Sequence, residues 1–197
     1  MEAEISQENN YKEELDRKTR MPLLWVGLAS IVMLFASLTS AVIVSKSSRD
    51  WVSFELPFTF GISTLTILLS SLTYWWAYKS AKAGNFGGLK TGVLLTLILG
   101  LGFAALQFIS WGILVDQGIF FAGASSTVSG SFLYAISGLH LAHMVGGLFS
   151  LGIVYFKATR NRYSTNNLLG LQASTTYWHF LDGLWIYLYL FLNFIAL

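Results

Sequence analysis

Tyr177-Trp178-His179-Phe180-Leu181-Asp182-Gly183-Leu184-Trp185 sets a histidine and an aspartate three residues apart inside the last long apolar run of the chain. On a helix that spacing puts both side chains on one face. An aspartate at the centre of a membrane helix costs about 3 kcal/mol on insertion scales. It therefore needs a partner, and it marks a candidate functional site.

The composition gives the setting. Of 197 residues, 54% are hydrophobic and only 11% charged, with a mean hydropathy of +0.59. Soluble domains carry roughly 25% charged residues, so the chain reads as a membrane protein. A net charge of +2 gives no sign of a nucleic-acid partner. With no cysteine, thiolate metal sites, disulfides and thiol catalysis are excluded. The first twenty residues mix Glu2, Glu4, Glu8, Glu13, Glu14 and Asp16 with Lys12, Arg17, Lys18 and Arg20. They lack the apolar core of a signal peptide and predict a solvated tail over residues 1–20.

Residues 21–197 contain five apolar runs, at about 22–45, 56–78, 91–115, 131–156 and 174–197. A bilayer needs about 20 residues per helix. The predicted fold is thus all-α and polytopic, a bundle of five transmembrane helices. Pro22 and Pro57 suit helix starts, and the fifth helix is expected to begin early, near Asn166. Ten of the 12 basic residues fall in the tail and in the second and fourth loops, among them Lys79, Lys82, Lys90, Lys157, Arg160 and Arg162. Only Lys46 and Arg49 fall on the other side. The positive-inside rule then puts the N-terminus in the cytoplasm and the C-terminus outside. The loop over 116–130, rich in Gly and Ser but holding Ile119, Phe120 and Phe121, is expected to lie on a partner or on the bilayer surface.

Three sets of residues stand out. Gly138, Ala142, Gly146 and Ser150 recur every four residues on the fourth helix, a small-residue stripe for close helix packing. His140 and His143 on that helix, with His179 and Asp182 on the fifth, are the ionisable groups of the spans. By helical rise His143 lies about 18 Å and Asp182 about 22 Å below the external surface. A cross-helix polar network of the four is therefore geometrically feasible. It admits four readings: a structural clamp, a proton relay, a metal site or bis-histidine haem ligation. Lys157, Arg160 and Arg162 are candidates for phospholipid phosphate contacts. No phosphate loop, nucleotide fingerprint, nucleophile elbow or carboxylate pair is present, so no catalytic residue is assigned. A scaffold subunit, a small transporter and a b-type cytochrome all remain open on these grounds.

Several stretches resemble the subunit III family of haem–copper oxidases, the cytochrome c oxidase type. Tyr177-Trp178-His179-Phe180-Leu181-Asp182 with Trp185 is similar to the signature of the family's last helix. Ser137-Gly138-Leu139-His140-Leu141-Ala142-His143 with Gly146 and Gly147 resembles the preceding one. Leu56-Pro57, Ser63-Thr64 and Ser70-Ser71-Leu72-Thr73 resemble a third, and Gln107 with Trp111 a fourth. The chain looks like the family's five-helix form. The acids that longer members carry in their membrane helices are replaced by Ile31, Ser110 and Gln172.

The resemblance implies a non-catalytic subunit in the bacterial inner membrane. Its partners would be catalytic subunit I, other oxidase subunits and phospholipid. Haem and copper would sit in subunit I, leaving no cofactor or metal in this chain. The complex would reduce dioxygen to water and pump protons. A related subunit of a quinol oxidase or nitric-oxide reductase fits the same residues.

Overall fold

The computed structural model describes residues 2–47, 51–123, 125–163 and 168–196, without the side chains of residues 2–17, 20, 195 and 196. Arg49, counted above on the sparsely basic side, and Asn166, the expected start of the fifth helix, lie outside the described residues.

Among the described residues five α-helices follow one another: α1 (Glu2–Ser45), α2 (Phe58–Lys82), α3 (Phe86–Asp116), α4 (Val128–Thr159) and α5 (Leu169–Phe191). A π-helical turn, Leu192–Ala196, continues α5. Local chemistry sets several boundaries. Pro57, at φ −54° and ψ 140°, is the N-cap of α2, where its missing N–H is harmless. Asn85 caps α3 by accepting from Gly88 N at 3.0 Å, and Thr127 caps α4 by accepting from Gly130 N at 3.2 Å. Gly84, at φ 76°, makes the left-handed residue of the α2–α3 turn that a side chain would resist.

Pro22 departs from its expected place. It lies inside α1, which runs unbroken for 44 residues through the tail. The polar tail is thus helical in backbone, a continuation of the first apolar helix.

Among the described residues, four segments are long and apolar enough to cross a membrane: Met21–Ser45, Phe58–Lys82, Phe86–Asp116 and Val128–Thr159. The fifth expected span does not join them. Ser174, Thr175, Thr176, His179 and Asp182 dilute the apolar content of α5.

The helices α2 and α3 form the most intimate pair, because Gly92 lets the backbones meet. A Cβ there would sit 2.6 Å from Ala77 Cβ. α5 packs on α2 and α4, and α1 closes the bundle against α4 and α5. Phe35 and Val42 of α1 join Ile136, Leu188, Phe191 and Leu192 in a small core of their own. The 116–130 loop is tied to the bundle itself. Ile119 is buried in the main core, and its carbonyl accepts from the Tyr134 hydroxyl at 2.9 Å.

Candidate functional site

α2 carries a row of hydroxyls at helical spacing, and they make the interior polar. Ser63 and Thr64 each donate back to the Phe60 carbonyl, at 2.9 and 2.8 Å, and Ser70 donates to Ile67 O at 2.8 Å. A serine or threonine hydroxyl has one proton and two lone pairs. With the proton spent on its own helix, each oxygen is left as an acceptor. Neighbouring helices supply the donors: Gln107 Nε2 to Ser63 Oγ (3.0 Å), Trp185 Nε1 to Thr64 Oγ1 (3.1 Å) and Trp178 Nε1 to Ser70 Oγ (3.1 Å).

The row extends in both directions. Thr59 and Ser110 hydroxyls meet at 2.6 Å, and Thr73 and Thr96 at 2.8 Å. Tyr74 donates to Ser174 Oγ at 2.8 Å, which also accepts from Ser150 at 2.9 Å. The indoles of Trp178 and Trp185 and the Gln107 amide thus each reach an acceptor in an apolar interior, where an unmade bond costs about 1–3 kcal/mol.

Glycines seat the indoles. A Cβ on Gly100 would lie 2.7 Å from Trp178, and one on Gly147 3.1 Å from the same ring. Trp178 therefore wedges between α3 and α4. Trp185 stacks on Phe60, with ring centroids 6.1 Å apart, and meets Phe103 edge-on at 5.0 Å.

The four intramembrane candidates separate within this frame, and no hydrogen bond joins any two of them. His179 Nδ1 lies 2.6 Å from Ser71 Oγ on α2. Asp182, one turn along, is 2% exposed; it also lies close to Ser71, outside hydrogen-bonding geometry. His140 is fully buried among Phe35, Phe103 and Trp185, with both ring nitrogens unpartnered. His143, half-buried, bonds the Leu139 carbonyl of its own helix at 2.7 Å. The expected α4–α5 network thus gives way to an α2–α5 contact, because the wedged Trp178 and the bonded Trp185 turn the His–Asp face of α5 toward α2.

A bis-histidine haem needs one imidazole from each of two helices facing a common cavity. His140 is enclosed by Phe35, Phe103 and Trp185, which leave no open face for a porphyrin beside its ring nitrogens. Among the described residues no three His, Asp or Glu side chains converge as metal ligands.

The small-residue stripe also falls at an edge. Ala142 and Gly146 are exposed, and a Cβ on Gly138 would meet nothing within 4 Å. The close packing of α4 runs one position round, through His140, Met144, Gly147 and Leu151. Ser150 alone of the four bonds across to α5.

Lys157 and Arg162 stand at the mouth of a groove of about 460 Å³, walled by Leu148, Phe149, Gly152, Ile153 and Phe156. Arg160 lies over the Phe156 ring at 4.1 Å.

The sequence model for cytochrome c oxidase subunit III matches residues 26–196, across all five helices just described. The chain belongs to the cytochrome c oxidase subunit III family. It is 33% identical, over 147 residues, to a Rickettsia conorii protein named probable cytochrome c oxidase subunit 3, covering 73% of this chain and 48% of that one. To the Anopheles gambiae cytochrome c oxidase subunit 3 it is 30% identical over 137 residues, 70% of this chain and 49% of the relative. For the Spodoptera frugiperda protein of that name the figures are 27% over 137 residues, 70% and 87%. The chain spans about half the length of the curated relatives it first matches. Family and apolar helices together make it a multi-pass membrane protein.

The hydroxyl row was not assigned a role from sequence. Its signal was present in Ser63-Thr64 and Ser70-Ser71-Leu72-Thr73, a helix whose polar residues return every three or four positions.

Proposed function

We propose that this chain is a non-catalytic subunit III of a respiratory terminal oxidase, seated in the bacterial inner membrane against the catalytic subunit. One observation carries the reading. The family match runs through residues 26–196, and the residues of its last-helix signature bond the α2 hydroxyls. The α2 hydroxyls of this interior accept from Gln107, Trp178 and Trp185 and so serve helix packing.

Haem and copper then belong to subunit I, and dioxygen reduction and proton pumping to the complex. All five helices cross the bilayer in this reading. The N-terminus lies in the cytoplasm, since Lys79, Lys82, Lys90, Lys157 and Arg160 gather at one end of the bundle. Lys79 over Trp75 (5.1 Å) and Lys82 over Tyr78 (4.7 Å) suit an interfacial belt. The groove below Lys157 and Arg162 suits a phospholipid, with its acyl chain along Phe149 and Ile153 and its phosphate at the two cations.

The test is purification of the intact complex from membranes through a tag on this chain, followed by a reduced-minus-oxidised spectrum and oxygen uptake. Co-purified haem–copper absorbance with oxygen consumption is the expected result. A complex free of haem would overturn the assignment.

A further inference from the structure

The Ser71–His179 bond adjoins buried atoms that the assignment does not use. Ser71 Oγ lies 2.6 Å from His179 Nδ1 and also close to Asp182. Both Asp182 oxygens and His179 Nε2 are buried without a hydrogen-bond partner. Asp182 has no hydrogen-bonded cation among the described residues. An ionised carboxylate so placed loses its hydration with nothing in return, at a cost of several kcal/mol. A protonated carboxyl in the same place is a neutral donor in need of one acceptor.

Ser71 can be that acceptor. If its single proton goes to His179 Nδ1, its lone pairs face the carboxyl. The nearby Tyr74 phenol, whose ring lies 6.3 Å from His179, already donates to Ser174. His140 and His143 make no bond to the group.

We propose that Asp182, Ser71 and His179 form a buried proton-sharing site: Ser71 O–H donates to His179 Nδ1, and rotation of the protonated Asp182 carboxyl brings its O–H onto the Ser71 Oγ beside it. The ligand of the site is one proton. When the Asp182 O–H bond breaks toward Ser71 Oγ, the Ser71 O–H bond breaks toward Nδ1, and a carboxylate and an imidazolium replace two neutral groups with no change in net charge. The apolar surroundings favour the neutral arrangement, because they separate charge poorly. The site stores a proton between α2 and α5. It stands whether or not the oxidase assignment holds.

The full chain in lipid bilayers tests it. Nitrogen-15 NMR of labelled histidine, with the His179 signals identified by their loss in His179→Gln, should show a neutral ring protonated on Nε2 and bare on Nδ1. The infrared band of a protonated carboxyl should vanish in Asp182→Asn and move to higher frequency in Ser71→Ala. A His179 ring protonated on Nδ1, a missing acid band, or an acid band indifferent to Ser71→Ala would overturn the proposal. Should a variant fail to fold, the wild-type tautomer decides alone.

Discussion

Polar side chains inside this bundle differ in how they are satisfied, and their substitutions should separate accordingly. Ser71→Ala strips His179 of its one hydrogen bond among the described residues and leaves a half-buried imidazole unpaired. It should destabilise the protein by about 1–3 kcal/mol, read from a thermal or denaturant melt in detergent. His140 already makes no hydrogen bond and is enclosed by Phe35, Phe103 and Trp185. His140→Leu should therefore cost less than about 1.5 kcal/mol, as volume-conserving apolar replacements do. A loss as large as that of Ser71→Ala would mean that His140 has a partner. The spacing alone puts His179 and Asp182 on one helical face. It could not give the rotation of that face. Rotation is fixed by Trp178, whose ring fits where Gly100 and Gly147 leave room on two other helices.

Elements meet where side chains are absent. Gly92→Ala would push a methyl to 2.6 Å from Ala77 Cβ and 3.0 Å from its Cα, part of a backbone that cannot yield cheaply. A loss of about 1–3 kcal/mol is expected from such overpacking, measured as a fall in melting temperature. The connection after α4 holds a second testable point. Tyr163 packs against the core, and burial pushes its phenol up to about 12. An unfolded tyrosine ionises near pH 10. The contribution of neutral Tyr163 is thus complete below about pH 10 and disappears as pH rises toward 12. Part of the alkaline loss of stability should be absent in Tyr163→Phe, seen by comparing melts of the two proteins across that range. Helix number and order were readable from the apolar runs. The unbroken α1 was not, because Pro22 reads equally as a start or as a tolerated interior residue.

At the scale of the molecule, the bundle has one strongly basic end and an apolar groove that opens at it. If that groove seats a phospholipid, replacing both Lys157 and Arg162 with Gln should lower the anionic lipid retained by the purified complex, as counted by mass spectrometry. Unchanged retention would remove the groove from the account. The family was legible from a few motifs, but the hub of the fold was not. Ser63, Thr64, Ser70 and Ser71 read as ordinary small polar residues until α5 and α3 are placed beside them. The central claim is that α2 hydroxyls, and not α4 histidines, hold the His–Asp face of α5. A double-mutant cycle on stability tests it most directly, pairing Ser71→Ala with His179→Phe and, as its counterpart, His143→Phe with Asp182→Asn. The account predicts a coupling of about 0.5–3 kcal/mol for the first pair and additivity within about 0.5 kcal/mol for the second. Additivity in the first pair with coupling in the second would contradict it.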